Sequence, residues 1–138
     1  MNLKQALKEK NNLKAKIALT QDRLKSYNKV EEGLERVYDP HELYKQLLEE
    51  TDKLIDIKTR IQKANVPILS KIYRLSEVKG LIATLNRLDC DASRSSYSNL
   101  YSYPAIGVME RDAFLSAFQL EVEKIQEEID SFNFVTAV

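Results

Sequence analysis

Several residue types are scarce in this 138-residue chain, and each scarcity excludes a class of protein. The one cysteine, Cys90, cannot form an intrachain disulfide or a multi-cysteine metal site, so we expect a reducing compartment. Glycine and proline occur three times each, which favours long helices over turn-rich sheets. Basic and acidic residues balance at 21 each, whereas general nucleic-acid binders usually carry a basic excess.

The chain also lacks the apolar runs of membrane and secreted proteins. No stretch of ~20 apolar residues could span a bilayer, and the N-terminus has no signal-peptide core. We therefore expect a cytoplasmic protein.

Catalytic and metal-binding parts are equally sparse. The only histidine, His41, has no partner at metal-ligand spacing, and the Glu-x-x-His pattern of helical di-iron sites is absent. There is no glycine-rich phosphate loop and no paired acid-base motif. We predict that the chain is not an enzyme, holds no metal and needs no cofactor.

What is abundant is apolar residues at helical spacing. The clearest seam consists of Leu115, Phe118, Val122, Ile125, Ile129 and Phe132. Comparable seams predict about four helices, near residues 2–27, 40–65, 69–89 and 109–132. Asp39-Pro40 is a strong helix start, and Val66-Pro67 predicts a helix end. The expected fold is all-α: an antiparallel, coiled-coil-like bundle of long helices forming a single helical domain, 1–138.

Polar residues interrupt two of these seams. Lys10 and Thr20 fall within the first seam and Glu50 within the second. Lys10 and Thr20 either lie at seam edges or fix the register between helices. Leu48 and Ile55 widen the apolar stripe of the second helix, so we expect that helix to touch more than one neighbour.

Residues 93–108 depart from the helical pattern and are rich in serine and tyrosine. Tyr97, Tyr101 and Tyr103 are separated by multiples of two residues, which permits an extended arm or hairpin with a tyrosine face. Such a face suits protein recognition, because tyrosine offers amphipathic area at low entropic cost. The alternative is an irregular connector whose tyrosines cover core edges.

Polar residues at the seam ends are further candidates for an assembly site. Asn65 ends the second predicted helix, and Asn133, Phe134 and Thr136 form a predicted tail after the last one. These residues either cap helix ends or hold the tail against a neighbouring subunit.

Short strings in order along the chain resemble a family of small bacterial helical proteins commonly labelled septicolysin. The matching strings are Leu3-Lys4-Gln5-Ala6-Leu7, Arg23-Leu24, Val30-Glu31-Glu32-Gly33, Asp39-Pro40-His41-Glu42-Leu43, Ile61-Gln62-Lys63-Ala64-Asn65 and Asn133-Phe134-Val135-Thr136. The resemblance implies an all-helical, oligomeric protein and no defined activity. The family's arginine-rich third helix and basic arm are not matched here, because residues 81–103 are rich in serine and tyrosine instead.

Together these features predict a non-enzymatic, self-associating helical bundle that serves as a protein-interaction or scaffold module. We expect a homo-oligomer with an unidentified protein partner, and neither nucleic acid nor membrane as a ligand. The alternative is a membrane- or nucleic-acid-associated protein, suggested by the cytolysin-like label and by a first helix rich in lysine.

Overall fold

The computed structural model describes residues 1–138 and is all-α apart from one small hairpin. The elements are α1 (Leu3–Tyr27), α2 (Pro40–Asn65), α3 (Leu69–Arg87), β1 (Ser93–Arg94), β2 (Tyr101–Ser102) and α4 (Val108–Val135). A 3-10 turn, Val66–Ile68, joins α2 to α3 without a non-helical residue, so counting 40–87 as one helical stretch gives three helices. The predicted fold class is confirmed.

The first compact unit comprises Met1–Pro67 together with Phe132–Val138. Within it, α1 and α2 are antiparallel: the start of α1 packs on the end of α2, and Thr20 near the end of α1 meets Glu50 in α2. Its core is formed by Leu3, Ala6, Leu13, Ile57 and Ile61, with Leu7, Leu54, Ala64, Phe132 and Val138 packed against them.

Local chemistry explains where these two helices begin. Asn2 and Gln5 form a reciprocal capping box, in which each side-chain oxygen accepts the other residue's backbone N–H, at 2.8 and 2.9 Å. Asp39 accepts from the His41 amide at 3.0 Å, and Pro40 occupies the first position of α2, where an N–H is not needed. The connecting loop turns at Gly33, whose φ of 88° favours glycine.

The second compact unit spans Ile68–Ser131. Here α3 and α4 are antiparallel, since Lys71 pairs with Glu128 whereas Arg74, one turn later, pairs with Glu121. Its buried apolar residues are Ile68, Val78, Cys90, Ile125 and Ile129. The prediction of one domain stays a prediction, with the chain described as these two units.

One predicted helix end is confirmed and another differs from the structure. The second helix ends at Asn65, directly before Val66-Pro67, and a 3-10 turn leads from there into α3. The last helix continues past Phe132 to Val135, because the Thr136 amide still donates to the Phe132 carbonyl at 3.0 Å. Asn133 and Phe134 are therefore helical, and the tail is limited to the last three residues.

Candidate self-association surface

One face of α2 packs on α1, and a second apolar face of the same helix is open to solvent. The inner face carries Leu43, Leu47, Glu50, Leu54, Ile57 and Ile61. Advancing one residue turns a helix by about 100°, so side chains offset from the inner face point in a different direction. We call one such row the outer stripe: it consists of Tyr44, Leu48, Thr51, Ile55, Thr59 and Gln62 on α2, continued by Val66 at the first position of the 3-10 turn.

The apolar members of the outer stripe are largely uncovered. Tyr44 is 55% exposed, Leu48 47%, Ile55 58% and Val66 61%. Single exposed apolar residues are ordinary on protein surfaces, but a row running the length of a helix is the feature that makes this face a candidate interaction site.

The polar members of the stripe are compatible with burial. The Thr51 hydroxyl donates to the Leu47 carbonyl at 2.7 Å, and the Thr59 hydroxyl donates to the Ile55 carbonyl at 2.8 Å. Because both hydroxyl protons already have acceptors, covering these residues would leave no donor unsatisfied.

The surface of the outer stripe is uneven at its two ends. A shallow hollow of about 540 Å³ lies at its C-terminal end, lined by Lys58, Thr59, Gln62, Lys63 and Val66. Its N-terminal end carries Tyr44, which also lines a groove of about 500 Å³ with Leu24, Lys25, Asn28, Pro40 and His41. The stripe therefore presents its largest side chain, beside a groove shared with α1, at its N-terminal end and a shallow hollow at its C-terminal end.

The two seam residues Thr20 and Glu50 meet in the α1–α2 interface. Thr20 is 2% exposed and Glu50 7%, and the Thr20 hydroxyl lies 3.0 and 3.1 Å from the two carboxylate oxygens. The Gln46 amide nitrogen donates to the Glu50 carboxylate at 2.6 Å. A polar hollow of about 390 Å³ adjoins this cluster, with Lys16, Arg23 and Lys53 among its lining residues.

The tail docks on the start of its own chain. The Leu3 amide donates to the Thr136 carbonyl at 2.8 Å, and the Val138 amide donates to the Met1 carbonyl at 3.0 Å. Asn2 and Ala137 form an antiparallel bridge between these bonds. The Arg60 guanidinium donates to the Val138 carbonyl at 2.9 Å. A free first-turn amide of α1 thus gains an acceptor from the tail.

The predicted assembly residues are distributed over several environments. Thr136 lies in the docked tail, Asn133 is partly buried near the end of α4, and Phe134 is exposed. Asn65 is the partly buried last residue of α2. Their role in assembly stays a prediction.

The serine-tyrosine segment forms a short exposed hairpin. Ser93 pairs with Ser102 and Arg94 with Tyr101, and the turn contains Asn99 at φ 55°. The Tyr101 and Tyr103 rings stack with centroids 6.1 Å apart, and the Arg94 guanidinium lies 5.8 Å from the Tyr101 ring centre.

Only part of the predicted tyrosine face exists. Tyr97 lies in the turn and is fully exposed, so it does not share the strand face with Tyr101 and Tyr103. The hairpin displays the three tyrosines without using them to cover a core.

The Arg74–Glu121 ion pair shifts the pKa of both of its members. The bidentate Arg74–Glu121 pair, at 2.6 and 3.1 Å, lowers the pKa of Glu121 and raises that of Arg74. His41 is exposed beside its cap residue Asp39. No group of three or more His, Cys, Asp or Glu side chains is arranged to hold a metal ion.

The comparisons with known proteins identify a family. Residues 10–134 match a family of unknown function, DUF6847. The chain belongs to this family. Neither curated proteins nor solved structures give a match. None of the helices is long and apolar enough to cross a membrane.

The sequence pattern pointed to Leu48 and Ile55 as a widened stripe but not to Tyr44, Thr51 or Val66 as its continuation. The signal that would have found them is the eleven-residue spacing of Tyr44, Ile55 and Val66, which keeps them on one line of a helix.

Proposed function

We propose that this protein is a non-enzymatic, self-associating helical module, and that the outer stripe of α2 is its principal association surface. The observation that carries the proposal is the exposure of Tyr44, Leu48, Ile55 and Val66 along one helix face. Burying such a row in an interface stabilises the assembly by about 25 cal/mol for each Å² of apolar surface that is removed from water. A small chain with thin helices gains core volume most readily by associating.

In the proposed assembly, the exposed hairpin is available to a protein partner. Stacked Tyr101 and Tyr103 with the adjacent Arg94 offer the residue types that are enriched at recognition hot spots. We propose a cytoplasmic location, because the lone Cys90 is free and buried. We also propose kinship with the proteins labelled septicolysin, on the ordered strings quoted above, without a cytolytic activity.

The test is the mass in solution of a stripe variant. We expect the wild-type chain to exceed the 15.9 kDa of a single copy at micromolar concentration. Leu48→Lys combined with Ile55→Lys should weaken association by about a hundredfold or more, because four apolar side chains per dimer are replaced by charges. Size-exclusion chromatography with light scattering measures both.

The matched control carries the same change elsewhere. Leu34→Lys with Val37→Lys alters two exposed apolar residues in the loop between α1 and α2 and adds the same charge. We expect this variant to associate like the wild type, and circular dichroism should show unchanged helix content in both. A wild-type chain that stays monomeric, or a stripe variant that associates normally, would refute the proposal.

A further inference from the structure

We propose that the occupant of the outer stripe is the outer stripe of a second copy, docked antiparallel about a two-fold axis near Ile55. The inference rests on the proposed function and adds the partner surface and its orientation. Three features of α2 carry it: the symmetry of the stripe, the complementarity of its two ends, and the distribution of charge along the helix.

The spacing of the stripe is the same read in either direction. From Ile55 the next members lie four, seven and eleven residues away on both sides, at Thr51 and Thr59, then at Leu48 and Gln62, then at Tyr44 and Val66. An antiparallel copy centred on Ile55 therefore places a stripe residue opposite every stripe residue. The stripe runs for about 33 Å, at 1.5 Å per residue.

The two ends of the stripe differ in shape, and only antiparallel docking joins unlike ends. Tyr44 of each copy would lie against the partner's C-terminal hollow, whose volume is about 540 Å³. Gln62, Lys58 and Lys63 line that hollow and offer hydrogen-bond donors to the tyrosine hydroxyl. Parallel docking would instead place tyrosine against tyrosine and leave the two recesses facing one another.

The charge on α2 also changes sign along its length. Leaving out Glu50, which is buried against α1, there are three acidic and two basic residues between Pro40 and Leu54, and one acidic and three basic residues between Asp56 and Asn65. Antiparallel docking sets the acidic half of each copy beside the basic half of the other. Parallel docking would set like beside like, which costs free energy and slows encounter. The helix dipoles favour the same antiparallel choice.

Such a contact is isologous and closes on itself. Each copy offers the same surface, so two copies satisfy one another and leave no stripe free for a third. The contact predicts a dimer as the unit of assembly.

Cysteine cross-linking on the full-length chain distinguishes the orientations. Leu48→Cys chains are mixed with Gln62→Cys chains that carry a tag, so that the mixed dimer has its own mass, and are oxidised mildly. Disulfides need Cβ atoms about 3.5–4.5 Å apart, so only residues that face each other will join. We expect at least tenfold more disulfide-linked dimer in the mixture than in Leu48→Cys chains alone.

Two controls give the highest and the lowest yields of cross-linked dimer to expect. Ile55→Cys lies on the proposed axis and should cross-link to itself in either orientation. The wild-type chain should not cross-link, because its only cysteine, Cys90, is buried. All three substitutions alter exposed positions, and circular dichroism confirms that each variant keeps its helices.

The outcomes separate this inference from the proposed function. Cross-linking of Leu48→Cys chains to themselves, in the absence of the mixed product, would overturn the antiparallel orientation while self-association stood. A wild-type chain that runs at the mass of one copy, with no cross-link at Ile55→Cys, would remove both.

Discussion

The contact between Thr20 and Glu50 makes the sharpest prediction about stability. They are two of the three polar residues that interrupt the apolar seams of α1 and α2, and they lie together inside the helix pair. We consider Thr20→Val and Glu50→Leu, separately and together. The first removes the hydroxyl donor, the second removes the acceptor, and the pair together restores a continuous apolar seam.

The structure sets the size of each change. Thr20→Val removes the buried hydrogen bond from the Thr20 hydroxyl to the Glu50 carboxylate, for which Gln46 is then the remaining side-chain donor. This loss should lower the free energy of unfolding by about 2 kcal/mol. Glu50→Leu should cost about 1 kcal/mol or less, because the Thr20 hydroxyl can donate to the backbone carbonyl one turn earlier and the leucine adds apolar burial. The double variant should be within about 1 kcal/mol of the wild type, since replacing both partners by apolar groups is often neutral or stabilising. The coupling is therefore about 2 kcal/mol.

Urea unfolding followed by circular dichroism measures the three free energies of unfolding. Thr84→Val is the matched control, because the Thr84 hydroxyl is exposed and donates only to the Gly80 carbonyl at 3.1 Å. It should change stability by less than about 0.5 kcal/mol. If the effects of Thr20→Val and Glu50→Leu simply add, the reasoning is refuted, because the two residues would then contribute independently.

Two further predictions concern the tail and the second unit. Deleting Asn133–Val138 removes two backbone hydrogen bonds to the start of α1 and the packing of Val138, and should lower the free energy of unfolding by about 2–3 kcal/mol. The deletion should also weaken assembly. A truncated chain with an unchanged urea midpoint and an unchanged mass in solution would show that the tail is only a helix stop. The folded-state pKa of Glu121 is lowered by Arg74, so its ion pair stabilises above the unfolded pKa and is lost as pH falls through the folded value. The melting temperature of Glu121→Gln should thus lie below that of the wild type near neutral pH, and this difference should disappear below about pH 4. A difference of constant size over this pH range would contradict the stabilising role of the Glu121 ion pair.

The helices were predictable because their signals are local. The Asp39-Pro40 start, the apolar seams and the serine-rich interruption each depend on residues close in sequence. The end of α4 was not predicted, and there the Thr136 amide donates to Phe132 while its carbonyl accepts from Leu3 at the other end of the chain, a contact that local sequence does not contain. Propensity alone could not locate that boundary.

From the sequence, the candidate sites could be recognised only as polar residues that interrupt an apolar helical pattern. Thr20 and Glu50 stood out as polar residues in apolar seams, but their meeting depends on the register between two helices, which neither seam determines alone. For Thr136 the sequence left open a helix-capping role and a contact with a neighbouring subunit, and in the structure its carbonyl accepts from the Leu3 amide of the same chain. Sequence spacing gives a side chain's direction but not its partner.

The two faces of α2 have different periods, and this difference bears on how many partners the helix needs. The inner face repeats every seven residues, or 3.5 per turn, whereas Tyr44, Ile55 and Val66 repeat every eleven, or about 3.67 per turn. A real helix has 3.6 residues per turn, so the inner row drifts one way around it and the outer row drifts slightly the other way. The angle between the rows therefore widens towards the C-terminus of α2. One neighbouring helix cannot follow both rows, and α1 already follows the inner one, so the outer row is free to take the second copy proposed above.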